Sequence, residues 1–295
     1  MTGTWLVTGA GGMLGREVSA RLAALEGAAV TALTRRDLDI ADPCAARAAV
    51  RRHLPHVVVN CAAWTAVDDA ESQEAAAARV NGEGPGHLAA ACAETGARLL
   101  HLSTDYVFSG DRRRPRAEDD SPGPRTAYGR TKLAGERAVL AALPHTGYVV
   151  RTAWLYGEGG PNFVRTMIRL GWAGERVDVV DDQWGQPTWT ADLADLLVRL
   201  GLAAVCGRAP AGVYHGSSGG ETTWYGLACE VFRLLGADPG RVRPTGSGAL
   251  ARPAARPAYS VLAHEGWRAV GLEPIRGWRP ALAAAFPGLL AAERR

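Results

Sequence analysis

Lysine is almost missing from this chain. Of its 33 basic side chains only Lys132 is a lysine, and every other one is arginine. Such a skew points to a GC-rich coding background, in which a bland surface lysine drifts to arginine. Lys132 has not drifted. An excess of charge is missing too: +3 over 295 residues makes no field that would hold a nucleic acid. No apolar run approaches the roughly 18 residues of a membrane span. No basic stretch followed by an apolar one precedes the first strand, so we expect no export signal and a cytoplasmic protein. The five cysteines, Cys44, Cys61, Cys92, Cys206 and Cys229, are scattered with no Cys-x-x-Cys, which argues against a disulfide framework or a zinc site. The seven histidines show no ligand spacing. The run Arg112-Arg113-Arg114, with Arg116, reads as a solvated loop.

What is present is strand–helix alternation. Segments 4–8, 29–33, 57–62, 98–103 and 148–152 read as buried strands, and Leu14, Val18, Leu22 and Leu25 recur at helical spacing between the first two. This predicts an α/β fold, a Rossmann-type doubly wound parallel sheet with a smaller C-terminal substrate-binding lobe. Residues 1–155 are expected to form the NAD(P)-binding domain. Residues 156–295 should be mainly the substrate lobe, with some segments returning to the sheet. There, 177–180 and 213–215 read as strands, and 191–202 and 225–235 as helices.

The first strand runs into Gly9-Ala10-Gly11-Gly12-Met13-Leu14-Gly15. Gly9 suits a tight turn, Gly12 lets amides approach a pyrophosphate, and Gly15 allows close helix–sheet packing. After the second strand come Arg35 and Arg36, where an acid would hold the ribose hydroxyls of NAD. A guanidinium can grip a 2′-phosphate, so NADPH is the expected cofactor, with NADH as the alternative. Asp39 and Ile40 could flank the adenine.

The fourth strand ends at Thr104, near where the nicotinamide of a bound cofactor would lie. Tyr128 and Lys132 stand four residues apart, on one helical face. A hydroxyl, a phenol and an ammonium form the set needed to protonate a ketone oxygen during hydride transfer. An ammonium about 5 Å from the phenol should lower its pKa by ~2. Asp68, Asp69 and Glu71 read as a solvated helix start.

The glycine motif, the Tyr-x-x-x-Lys pair and the upstream threonine resemble the extended short-chain dehydrogenase/reductases. Finer motifs resemble the dTDP-4-dehydrorhamnose reductase family over nearly the whole chain. They include Asn60-Cys61-Ala62-Ala63-Trp64-Thr65-Ala66-Val67-Asp68, Ser103-Thr104-Asp105-Tyr106-Val107-Phe108 and Gln183-Trp184-Gly185-Gln186-Pro187-Thr188. The resemblance implies reduction of the 4-keto group of dTDP-4-dehydro-6-deoxy-L-mannose to dTDP-L-rhamnose. It makes Thr104, Tyr128 and Lys132 catalytic, and lines the cofactor with Ala62, Ala63 and Thr65. Val67, Thr104, Asp105 and Trp154 then face the sugar, although Trp154 could equally be core packing. Arg256 is a candidate for the diphosphate, with a structural salt bridge as the alternative.

Two positions depart from the family pattern. Tyr259 stands where an asparagine is usual. Glu17 could match one ligand of an intersubunit magnesium, but the region around Ala191 lacks another, so no metal is expected. A homodimer is left open. The rival readings are a paralogous 4-ketoreductase on another dTDP-deoxysugar of secondary metabolism, and a non-catalytic subunit like the regulator of methionine adenosyltransferase. A sugar epimerase with tightly held NAD comes third.

Overall fold

Five apolar runs of the first half become the parallel strands of one sheet, because each is flanked by helices on both faces and must be apolar on both. The structure is a computed structural model and describes residues 3–294. Strands β1 (Thr4–Thr8), β2 (Ala29–Leu33), β3 (Val57–Asn60), β4 (Arg98–Thr104) and β5 (Gly147–Thr152) are joined by Gly212–His215 from the second half. From one edge the order is Gly212–His215, β5, β4, β3, β1, β2, all parallel. Strand order reverses between β1 and β3, where ligands of such sheets bind beyond the carboxyl ends.

Helix α1 (Met13–Ala23) follows β1, and α2 (Pro43–His53) follows β2. After β3, the short α3 (Val67–Ser72) and α4 (Glu74–Ala78) lead through a π-helical turn into α5 (Gly84–Thr95). Helix α6 (Ala127–Ala142) connects β4 to β5. One face of the sheet buries Trp5, Leu14, Val18 and Leu22 against Leu193, Leu196 and Leu197. The other buries Leu6, Val58 and Leu99 against Val50, Leu88 and Val139.

Sequence ranges and observed elements differ mainly at strand ends. The third strand stops at Asn60 rather than residue 62, because the Ala62 N–H turns aside to donate to Asn60 Oδ1 at 3.1 Å. In the second half, α7 (Phe163–Trp172), α8 (Thr190–Val205) and α9 (Trp224–Leu235) form. Helix α8 packs on α1 over the sheet. Helices α7 and α9 belong to a separate core with Val231, Phe232, Leu282 and Phe286.

Two corrections concern charges. Arg116 is not part of a solvated run: it is 5% exposed, sits over the Phe108 ring at 5.4 Å and pairs with Asp111. Asp68 is not simply solvated either, since it binds Arg256 through both carboxylate oxygens, at 2.9 and 2.7 Å.

One ion pair is shut inside. Glu136 of α6 meets Arg151 of β5 at 2.9 and 2.7 Å, with side chains 2% and 4% exposed. Ser103 donates to the same carboxylate at 2.5 Å, and the guanidinium lies 5.0 Å over the Phe108 ring. Removing one partner leaves a bare charge in the interior, whereas removing both does not. Glu136→Leu should therefore cost about 3–5 kcal/mol of unfolding free energy, and adding Arg151→Met should restore most of it. Denaturant unfolding of the three variants measures both.

Candidate active site

At the carboxyl end of the sheet the chain leaves β1 through Gly9, whose φ of +66° favours glycine. A Cβ there would lie 2.5 Å from the Ala62 nitrogen, and one on Gly15 would lie 2.3 Å from the Gly9 carbonyl oxygen. The turn is thus drawn tight against the chain leaving β3, and α1 follows its N-cap residue Gly12 with no side chain capping its amides. Free N–H donors at a positive helix end suit a pyrophosphate. A cavity of about 220 Å³ beside them is lined by Gly9, Gly11, Gly12, Arg35, Asp39, Ile40, Ala62 and Ala63. Arg35 is on its wall. Of the two nearby acids of the same loop, Asp39 also lines the cavity, while Asp37 accepts from Thr34 N–H and Oγ1 at 2.9 and 2.6 Å. Glycines that no Cβ could replace, uncapped amides and a guanidinium together fit a phosphorylated dinucleotide.

Gly11, Gly12, Cys61 and Ala63 also border a second, larger cleft of about 660 Å³. Met13, Leu14, Gly15, Thr65, Val67, Thr104, Asp105, Tyr128, Lys132 and Trp154 all line it. The residues expected at the cofactor, the reacting group and the sugar therefore share two adjoining cavities. Arg256 is the exception, and it makes the salt bridge that was its alternative reading. It opens onto two neighbouring hollows, and its guanidinium fork is taken up by Asp68.

Tyr128 and Lys132 project from the first turns of α6, which Thr126 caps by accepting from the Gly129 N–H at 3.0 Å. Thr104 reaches them from the end of β4, and its hydroxyl donates to Asp105 Oδ1 at 3.0 Å. The expected lowering of the phenol does not occur. Burial pushes Tyr128 up to about 12; a hydrogen bond with Thr104 pulls partway back, and the Asp105 charge pushes it higher. The lysine is directed elsewhere: Nζ donates to the Leu102 carbonyl at 2.6 Å and lies 3.5 Å from His101 Nε2. Burial lowers Lys132 itself to about 8, with Glu136 and Cys61 opposing. Asp105 is raised by burial to about 6, and its Oδ2 makes no hydrogen bond among the described residues.

Three wall residues were not anticipated. Tyr106 meets the Tyr128 ring edge-on, with centroids 5.6 Å apart, and Thr152 contributes a buried hydroxyl that has no partner among the described residues. Trp224, at the first position of α9, stacks on Trp154 with centroids 3.6 Å apart and rings 7° from parallel. The sequence placed a helix start beside Trp224 but offered nothing to link it with a residue 70 positions away. Trp154 has φ of +45°, and its indole covers Gly185, where a Cβ would come within 2.4 Å of the ring. Tyr259 is turned from the cleft, its hydroxyl donating to Glu221 at 2.5 Å.

Comparison with known proteins follows the same outline. The family model described as RmlD substrate binding domain matches residues 3–290. A dTDP-4-dehydrorhamnose reductase of Streptomyces griseus is 66% identical over 97% of this chain and 93% of its own length. A dTDP-4-keto-6-deoxy-D-glucose reductase of Streptomyces niveus is 57% identical, over 99% of this chain and 100% of its own. The crystal structure of dTDP-4-dehydrorhamnose reductase from Bacillus anthracis in complex with NADP superimposes with a TM-score of 0.90. It is 35% identical, covering 97% of this chain and 99% of that one.

The raised Asp105 carboxyl has a measurable consequence. Its folded pKa lies above the unfolded value near 3.9, so its charged form is penalised by folding. That penalty is absent below about pH 4 and complete above about pH 6. Asp105→Asn should stabilise the protein by about 2–3 kcal/mol at neutral pH and far less at about pH 4. Thermal unfolding of both proteins at the two pH values tests the sign.

Proposed function

This chain belongs to the RmlD substrate binding domain family, and from that premise we propose that it reduces the 4-keto group of a dTDP-4-dehydro-6-deoxysugar with NADPH. The first-choice substrate is dTDP-4-dehydrorhamnose, giving dTDP-L-rhamnose. The observation that carries this reading is the meeting of Thr104, Tyr128 and Lys132 on one wall of the larger cleft, which adjoins the glycine-lined cavity. Residues 156–295 would supply most of the sugar site, and the cytoplasm is the fitting compartment.

Bound NADPH supplies the hydride, and this chain's own residues supply everything else. Negative charge grows on the ketone oxygen as the hydride arrives. Tyr128, kept protonated by burial, is a loaded acid that donates its phenolic hydrogen to that oxygen. Thr104 holds the oxygen and the phenol in register. Lys132 orients the ribose of the nicotinamide, and Arg35 holds the adenosine phosphate. Asp105 offers its free oxygen, and Trp154 its ring face, to the sugar.

A second reading keeps the chemistry and changes the sugar. The Streptomyces niveus relative is named for a different ketosugar, and Tyr259 replaces the asparagine usual in that segment. Assay of a panel of dTDP-ketosugars for NADPH oxidation separates the two, and negligible turnover of dTDP-4-dehydrorhamnose would remove the first. A purely regulatory subunit would have no use for the complete hydroxyl–phenol–ammonium set.

Two substitutions test the roles. Tyr128→Phe should lower kcat by about 10²–10⁴ while leaving the NADPH dissociation constant nearly unchanged. Arg35→Asp should weaken NADPH binding by roughly tenfold or more and leave NADH binding far less affected, as isothermal titration would show.

A further inference from the structure

Behind the cleft wall a line of buried polar groups runs from β1 to Lys132. Thr8 Oγ1 donates to Asn60 Oδ1 at 2.7 Å, and the backbone N–H of Ala62 donates to the same oxygen at 3.1 Å. A backbone N–H can only donate, so the Asn60 amide is fixed with its oxygen toward Thr8 and Ala62. Its nitrogen therefore points at His101, 3.0 Å from Nδ1. That amide nitrogen also can only donate, which makes Nδ1 the acceptor and places the imidazole hydrogen on Nε2. His101 is fully buried, and burial and the lysine charge both hold its pKa well below the ordinary value. It is a neutral ring in one tautomer.

The Nε2–H of that ring faces Lys132 Nζ at 3.5 Å. An ammonium has only hydrogens to present there, so two donors oppose one another. An amine presents a lone pair and is satisfied. We infer that His101 is a positioning residue for Lys132: its locked N–H favours the neutral amine and lets the lysine exchange its proton with Tyr128 within each turnover. After the phenol has protonated the substrate, a proton leaves Nζ for the phenolate oxygen, directly or through an intervening hydroxyl. The lone pair left on Nζ then accepts from His101 Nε2, until Nζ regains a proton from water in the cleft that Lys132 lines and the cycle closes. The other groups facing Lys132 are Cys61 beyond β3, and Glu136 and Tyr128 on its own helix. The Glu136 charge favours the ammonium, the Cys61 thiol is held neutral by burial, and the Leu102 carbonyl accepts from either form.

The inference rests on the reductase reading for its purpose, but the contact can be measured without turnover. Lys132 is the only lysine, so a full-length chain labelled with lysine carrying ¹³C at Cε gives one side-chain resonance. We expect its midpoint near 8 in the wild type. In His101→Gln the amide oxygen can turn toward Nζ, and the midpoint should rise by roughly one pH unit or more, taking the alkaline limb of kcat/KM with it. A merely structural histidine would change the melting temperature and leave the midpoint alone. A wild-type midpoint near the ordinary ~10.4, or the same midpoint in both proteins, overturns the inference. Should the variant not fold, ¹⁵N shifts of the wild-type His101 ring decide it, since a hydrogen found on Nδ1 would sink the idea. A midpoint that rises in His101→Gln, in a protein that reduces no ketosugar, would support the contact and remove the reductase reading instead.

Discussion

Glu136 and Arg151 meet where α6 crosses the carboxyl end of the sheet, and the reactive geometry hangs on that contact. The carboxylate is one helical turn beyond Lys132 and also accepts from Ser103, next to Thr104. It therefore ties the helix bearing the phenol and amine to the strand bearing the hydroxyl. Desolvating two charges recovers little net stability. What the pair gives is orientation: any rotation of α6 would separate them, so Tyr128 and Lys132 are held toward the cleft. The Phe108 ring, which both Arg116 and Arg151 contact, extends the same clamp into the loop after β4.

The cleft is lined by a carboxyl, a phenol and an amine, and burial disfavours the charged form of each. Burial pushes Asp105 and Tyr128 up and Lys132 down, so each moves toward its uncharged form. Burial keeps the phenol protonated, and no neighbouring cation ionises it. This differs from the through-space acidification that the Tyr-x-x-x-Lys spacing suggests. Spacing along a helix fixes which face two side chains share, but the direction of a flexible lysine depends on acceptors in other strands, here the Leu102 carbonyl.

Most of the fold was legible because buried parallel strands are short apolar runs and their helices carry a clear apolar stripe. The glycine turn was legible for steric reasons, since Gly9 and Gly15 occupy places where a Cβ cannot fit. Long-range pairings were not. Arg256 carries the chemistry of a phosphate ligand, and only the fold reveals that Asp68, 188 residues away, already holds it. Trp224 and His101 escaped notice for the same reason: a lone indole at a helix start and a histidine inside an apolar strand look like packing until their partners are seen.

Two indoles lying nearly face to face on a cleft wall share their electronic excitation. Any molecule that slides against Trp154 or loosens it from Trp224 perturbs that coupling, alongside seven other tryptophans elsewhere in the chain. The stacked pair thus gives the protein a built-in optical gauge of what occupies its larger cleft, requiring no added dye.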